Sequence, residues 1–161
     1  MSTQKLLSSF DLQDYMDKHS IPGMVESLDL TTNTVVQAAI ALNISPQQII
    51  KSLLFIIDDE PVLLISAGIS PINKKIVRNH FGVSRKKLRF AKAEEILEIT
   101  GYRIGTLPPF GHVTKLKTII DPSVMESHTV YGGGGDPMTM VKVESIIIME
   151  HTNAELVEIS R

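Results

Sequence analysis

The stretch Lys51-Ser52-Leu53-Leu54-Phe55-Ile56-Ile57 most limits what this chain can become. Its unbroken aliphatic and aromatic character reads as a buried strand. Asp58-Asp59-Glu60-Pro61 supplies a turn, and Val62 to Ser66 returns as the second strand of a hairpin. A lysine opening so apolar a strand is conspicuous. Either Lys51 snorkels to the surface at the strand end, or it points into a cleft as a point charge for phosphate or a donor to a carbonyl.

Helices and further strands surround this hairpin. Apolar residues from Thr3 to His19 recur at roughly helical spacing, as one helix or two short ones, until Ile21-Pro22-Gly23 stops the run. Thr34 followed by Gln37 has the form of a capping box, and the helix behind it ends near Asn43. Ser45-Pro46-Gln47-Gln48 starts a short third helix, and Ser70-Pro71 caps another whose stripe ends at Phe81-Gly82. Leu88 to Ala91 reads as a strand and Ala93 to Ile99 as a helix closed by Gly101. Strand Leu116–Ile120 leads to a turn or short helix at Asp121-Pro122-Ser123. Thr129–Tyr131 runs into a glycine cluster, Thr139–Val143 pairs back, Ser145–Glu150 is helical, and Leu156–Ile159 is a last strand. The alternation predicts one α/β domain with a mixed sheet.

At 161 residues, 43% hydrophobic and 21% charged, the chain is long enough to bury a core without staples. It contains no Cys, which removes disulfides, thiolate zinc sites and a cysteine nucleophile from consideration. No run approaches a membrane span and no signal-peptide layout opens the sequence, so we expect a cytoplasmic protein. The net charge of −2 hides an asymmetry: Lys74, Lys75, Arg78, Arg85, Lys86, Lys87, Arg89 and Lys92 are eight of the 16 basic residues, with no Asp or Glu among them. The segment is either a basic face suited to a phosphate backbone or a lysine-rich solvated edge that discourages aggregation.

Familiar catalytic signatures are missing. There is no dinucleotide or P-loop glycine motif, no H-E-x-x-H and no G-x-S-x-G. The five histidines are dispersed without metal-ligand spacing, so no metal or other cofactor is expected. Two unusual loops remain. Gly101 to His112 carries three glycines and the pair Pro108-Pro109, a stiff loop with free amides that either merely connects a helix to a strand or holds a carbonyl, phosphate or oxyanion. Gly132-Gly133-Gly134-Gly135 is either a flexible hairpin tip or a place of close backbone approach.

Taken together and in order, K-S-L-L-F at Lys51, G-Y-x-x-G-x-x-x-P-F-G at Gly101–Gly111, Asp121 after a strand, and the cluster from Gly132 form a pattern. It resembles the YbaK-type aminoacyl-tRNA deacylases, the family that also supplies the editing insertion domain of bacterial prolyl-tRNA synthetase. The likeness runs from about Thr34 to the C-terminus. It implies a single YbaK-like domain over residues 1–161, with an N-terminal helical region at 1–33 and a family-like core at 34–161. Its sheet would be mixed, largely antiparallel and barrel-like, flanked by helices. It also implies a freestanding hydrolase that removes a wrong amino acid from tRNA by ester hydrolysis without metal or protein nucleophile, assisted by the substrate's own groups. By position, Lys51, Gly105 and Pro109 match the functional lysine and the ends of the G-x-x-x-P loop. Ser52, Leu107, Pro108, Phe110, Gly111 and His112 would line the substrate, with Gly133, Gly134 and Gly135 opposite. Lys74, Lys75, Arg78, Arg85, Lys86 and Lys87 are candidate tRNA contacts, and a synthetase is a candidate partner. Pro108 stands where the family often has Ser, and Ser52 where it often has Thr or Asn, so the amino acid removed is left open. The alternative is a module that keeps the fold and binds tRNA or protein without hydrolysis.

Overall fold

A computed structural model describes residues 6–28 and 34–160. Thr3, where the first helix was expected to begin, lies outside them. The helix observed is α1, Ser9–Lys18, whose Ser8 main-chain N–H donates to the Asp11 carboxylate at 2.8 Å. Strand β1 (Met24–Ser27) follows, a strand inside the region expected to be helical. Only two of its four residues are apolar, so sequence offered no signal. It exists because β7 (Thr139–Glu144) presents it with an edge, pairing Met24 with Lys142 and Ser27 with Thr139.

Helix α2 (Val35–Leu42) starts as its capping residues predict, with the Gln37 N–H donating to Thr34 Oγ1 at 3.1 Å, and ends at Asn43 in the left-handed region. A 3-10 turn at Pro46–Gln48 delivers the chain to β2 (Ile50–Ile57) and its antiparallel partner β3 (Glu60–Ala67). Helix α3 (Lys74–Phe81) is capped by Asn73, not by Ser70-Pro71. The Asn73 carboxamide accepts from the N–H groups of Lys75 and Ile76, and Ile72 is held just upstream in a bridge to Ser160, which puts the helix start three residues later than expected. A basic 3-10 turn, Arg85–Lys87, enters β4 (Leu88–Phe90), and α4 (Ala93–Thr100) ends at Gly101, φ 85°.

Strand β5 (Lys117–Ile120) runs parallel to β3, β6 (Thr129–Gly133) pairs antiparallel with β7, and α5 (Ser145–Thr152) precedes β8 (Glu155–Leu156). The last strand was expected over Leu156–Ile159. It stops early because Asp121 draws the chain off the ladder: its carboxylate accepts from Ile159 N at 2.8 Å and from Ser160 N and Oγ at 3.0 Å. Burial alone would raise this carboxyl, but hydrogen bonds from Ser123, Ile159 and Ser160 hold it below its ordinary value.

The strands form a five-stranded sheet, β4-β2-β3-β5-β8, and a three-stranded sheet, β1-β7-β6, joined by a bridge between Ile49 and Tyr131. The hairpin is covered on both faces. Leu54, Ile56, Leu63 and Ile65 pack with Leu12 and Met16 of α1 and with Val130 and Val141 of the smaller sheet. Phe55, Ile57 and Leu64 pack with Val77 of α3 and with Ile119 and Ile159. Two-sided burial explains why β2 reads as a continuous apolar run without alternation.

Candidate active site

Strand β4 covers only the last three residues of β2, pairing Phe55, Ile56 and Ile57 with Phe90, Arg89 and Leu88. One further bond, from Ala91 N–H to the Leu54 carbonyl at 2.9 Å, ends the contact before α4 begins. Toward its start, β2 lies against β6, tied to it by the bridge between Ile49, the residue just before β2, and Tyr131. Between these points its edge is open. Alternate residues of an antiparallel strand send both main-chain groups to the same side. Leu54 faces β4, so the N–H and C=O of Ser52 face the gap.

A cleft of about 690 Å³ occupies that gap. Its walls are mostly apolar, including Val35 and Ala38 of α2, Ile104 and Leu107 of the glycine-proline loop, Met138 just before β7 and Met140 within it. Lys51 stands in it with no carboxylate partner among the described residues. The Ser52 hydroxyl is buried and has no hydrogen-bond partner among the described residues, unlike Thr106 and Thr139, whose hydroxyls donate to the carbonyls of Arg103 and Asp136. Among the described residues Asp136 is the one carboxylate lining the cleft, and it accepts from Ser9 N–H at 2.6 Å. No histidine lines the cleft, so no imidazole stands ready there as a general base.

The Gly101–His112 loop divides. Ile104, Gly105, Thr106 and Leu107 line the cleft with Lys51. Pro108 is buried, and Pro109, Phe110, Gly111 and His112 turn away to line a separate hollow of about 420 Å³ with Tyr15 and His151. Pro109 to His112, expected beside the substrate, therefore do not reach the Lys51 cleft. They anchor the loop from behind. The His112 ring donates from Nε2 to the Pro108 carbonyl at 2.8 Å, closing a four-residue lock, and burial pushes its pKa down to about 4 although that bond acts in the opposite sense.

The glycine run is tightly packed rather than a loose tip, and its first two residues continue β6. A Cβ on Gly133 would lie 2.4 Å from the Leu107 carbonyl oxygen, and one on Gly134 2.6 Å from Thr139 Oγ1. Gly135 donates its N–H to the Thr106 carbonyl at 3.0 Å and lies against the Ser8 carbonyl. Of the three expected to line the pocket, only Gly133 does so; Gly134 and Gly135 are buried beneath it. The close approach is thus made by the protein's own backbone at 106–107.

The basic residues lie to one side. Lys74, Lys75 and Arg78 are on α3, and Arg85, Lys86 and Lys87 form the turn into β4, all but the half-buried Arg78 exposed. None of the six lines the cleft, and the surface they occupy adjoins it at Phe90. Lys87 has Asp59 at 3.7 Å, and Arg89 is engaged by Glu95 at 2.7 Å. Sequence reasoning missed Phe90, Ile104, Asp136, Met138 and the edge amide of Ser52. Only the last had a signal, the brevity of the segment predicted for β4.

The cleft brings Lys51, part of the glycine-proline loop and Gly133 together, and comparison with known proteins decides the chain's lineage. Residues 31–146 match the model of the aminoacyl-tRNA editing domain. The chain belongs to that family. The editing domain is 36% identical over 107 residues to the proline–tRNA ligase of Ligilactobacillus salivarius (strain UCC118), covering 66% of this chain and 18% of the ligase. It thus spans about a fifth of that relative's length. It is 32% identical over 120 residues, and 74% of either chain, to the uncharacterized protein YwhH of Bacillus subtilis (strain 168). Among solved structures, it superposes with a TM-score of 0.86 and 25% identity on a candidate trans-editing enzyme for prolyl tRNA synthetase, covering 100% of this chain and 99% of the other. The YbaK-like mixed α/β architecture expected from the sequence is therefore the one observed. Among the described residues no helix is long and apolar enough to cross a membrane, and no three His, Cys, Asp or Glu side chains are grouped to hold a metal ion.

Proposed function

We propose that this editing domain is a cytoplasmic deacylase that acts in trans, hydrolysing the ester of a mischarged aminoacyl-tRNA. Family membership supports the substrate class, and the superposition with a trans-editing candidate supports action apart from a synthetase. The observation that carries the reading is Lys51, a cation with no carboxylate partner among the described residues, in an otherwise largely apolar cleft next to the open-edge amide of Ser52.

The chemistry asks little of the protein. A water oxygen adds to the ester carbonyl carbon as the carbonyl electrons move to its oxygen; on collapse the bond to the ribose oxygen breaks, and the proton given up by the water passes to that oxygen, which leaves as the hydroxyl of the terminal nucleotide. The products are free amino acid and tRNA. The Lys51 ammonium and the Ser52 N–H meet the developing oxyanion, and the neighbouring ribose hydroxyl orients the water, so neither a metal nor a protein nucleophile takes part. One well-placed oxyanion donor contributes about 3 kcal/mol, or roughly a hundredfold in rate. Apolar Val35, Ala38 and Met140 leave room for a small side chain.

Deacylation should be assayed on tRNAs charged with Ala, Cys, Ser, Thr and Pro. The wild type is expected to clear at least one of them, and Lys51→Ala to lose about a hundredfold or more with its melting temperature unchanged. Full activity in that variant would remove Lys51 from the site. If the wild type turned over none of the five, a binding module without hydrolysis would take the deacylase's place.

A further inference from the structure

Lys51, Leu53 and Phe55 alternate onto one face of β2, and Phe90 stands beside Phe55 in the β2–β4 register. At about 3.3 Å per residue, Lys51 and the Phe55–Phe90 pair are roughly 13 Å apart along the strand. Phe55 is fully buried, whereas Phe90 is 48% exposed and lines the cleft. The Phe90 ring leans on Phe55 at 4.3 Å between centroids, and Lys74 Nζ stands 4.7 Å from the Phe90 centroid. No carboxylate among the described residues pairs with Lys74. An exposed phenyl ring backed by a second ring, with a movable ammonium above it, offers a π-face for a base and a cation for the adjoining phosphate.

We propose that Phe90 is the platform on which the 3′-terminal nucleobase of the tRNA stacks while the ester it carries lies at Lys51. The proposal rests on the deacylase reading for the position of the ester. The ester and the base are attached to one ribose, so a single aminoacyl nucleoside reaches from Lys51 to Phe90 with its sugar over Leu53. Lys74 then leaves the ring for the phosphate on the 5′ side of that nucleoside, and exposed Lys75 continues the path away from the cleft. The basic segment and the cleft become one continuous track, joined at Phe90.

The test uses a fluorescein-labelled RNA hairpin ending in single-stranded C-C-A, and the same hairpin with an abasic terminal residue. The wild-type chain is expected to bind the first between about 5-fold and 150-fold more tightly, the range for one base–aromatic stack. Phe90→Leu, which keeps an apolar contact on Phe55, should bring the ratio close to one, and Phe90→Trp should preserve it. Equal affinity of the wild type for the two hairpins would overturn the platform. So would a Phe90→Leu variant that keeps the ratio. Turnover separates this proposal from the reading beneath it. Discrimination without hydrolysis of any charged tRNA would remove the deacylase and leave an RNA-end site, whereas hydrolysis without discrimination would remove only the platform.

Discussion

An alanine at Gly133 would place its Cβ 2.4 Å from the Leu107 carbonyl oxygen, and the obstacle is main chain, so strand or loop must shift. We expect Gly133→Ala to cost about 2–3 kcal/mol in urea unfolding, the upper part of the range for overpacking, and to lower deacylation as residues 106–107 move. Gly105→Ala is the contrasting case. A Cβ there meets nothing within 4 Å, but φ is +87°, so its cost is the left-handed backbone alone, about 1–2 kcal/mol, with the loop undisplaced. If the two variants lost stability and activity in equal proportion, the packing account of Gly133 would fail. At this scale the sequence marked Lys51, Gly105 and Gly133, which line the cleft, and withheld the reasons. Four adjacent glycines announce a constraint, but only the fold brings Leu107 against them. Lys51 was conspicuous as a charge opening an apolar strand, whereas nothing in the sequence set Phe90 apart, and only the fold brings Lys74 above it.

Among the elements, the glycine-proline loop gives the clearest pH prediction. The His112 pKa is about 4 in the folded chain and about 6.5 when free, so between these values the unfolded chain takes a proton that the folded chain refuses. Stability should hold above pH 6.5 and fall as pH drops toward 4, by about 3 kcal/mol at most. His151, also lowered by burial and by the charge of His19, adds in the same direction. His112→Gln keeps an N–H donor for the Pro108 carbonyl and should flatten part of the slope in urea unfolding at pH 7.5, 6 and 5; an unchanged slope would clear His112 of the effect. Caps and turns with local chemistry were legible: Thr34 with Gln37, Ser45 with Gln48, and glycine stops at Gly82 and Gly101. Elements that depend on distant partners were not. Strand β1 needs the edge of β7, β8 ends where Asp121 intervenes, and the division of Gly101–His112 between two hollows depends on Tyr15 and His151, far away in sequence.

Across the whole molecule, charge and cleft are neighbours rather than one feature. The net charge is −2, yet Lys74, Lys75, Arg85 and Lys86 form an exposed basic strip reaching the cleft at Phe90. If tRNA follows that strip, affinity for uncharged tRNA should fall with added salt, and reversing Lys86 and Lys87 to Glu should weaken binding and flatten the log–log slope by about one to two units. An unchanged slope in a filter-binding titration would assign these lysines to solubility. The fold class followed from the alternation of elements, and the approximate site from the resemblance. That the site belongs to an edge of the larger sheet did not, because it is set by where β4 stops. An unpaired edge is ordinarily a hazard that invites another chain to add a strand. Here α2, the glycine-proline loop and the glycine run stand around it as a collar, so a narrow ligand can enter where a strand cannot. The opening is in this sense a missing piece of β4: two more residues of strand after Ala91 would close the cleft without altering any residue inside it.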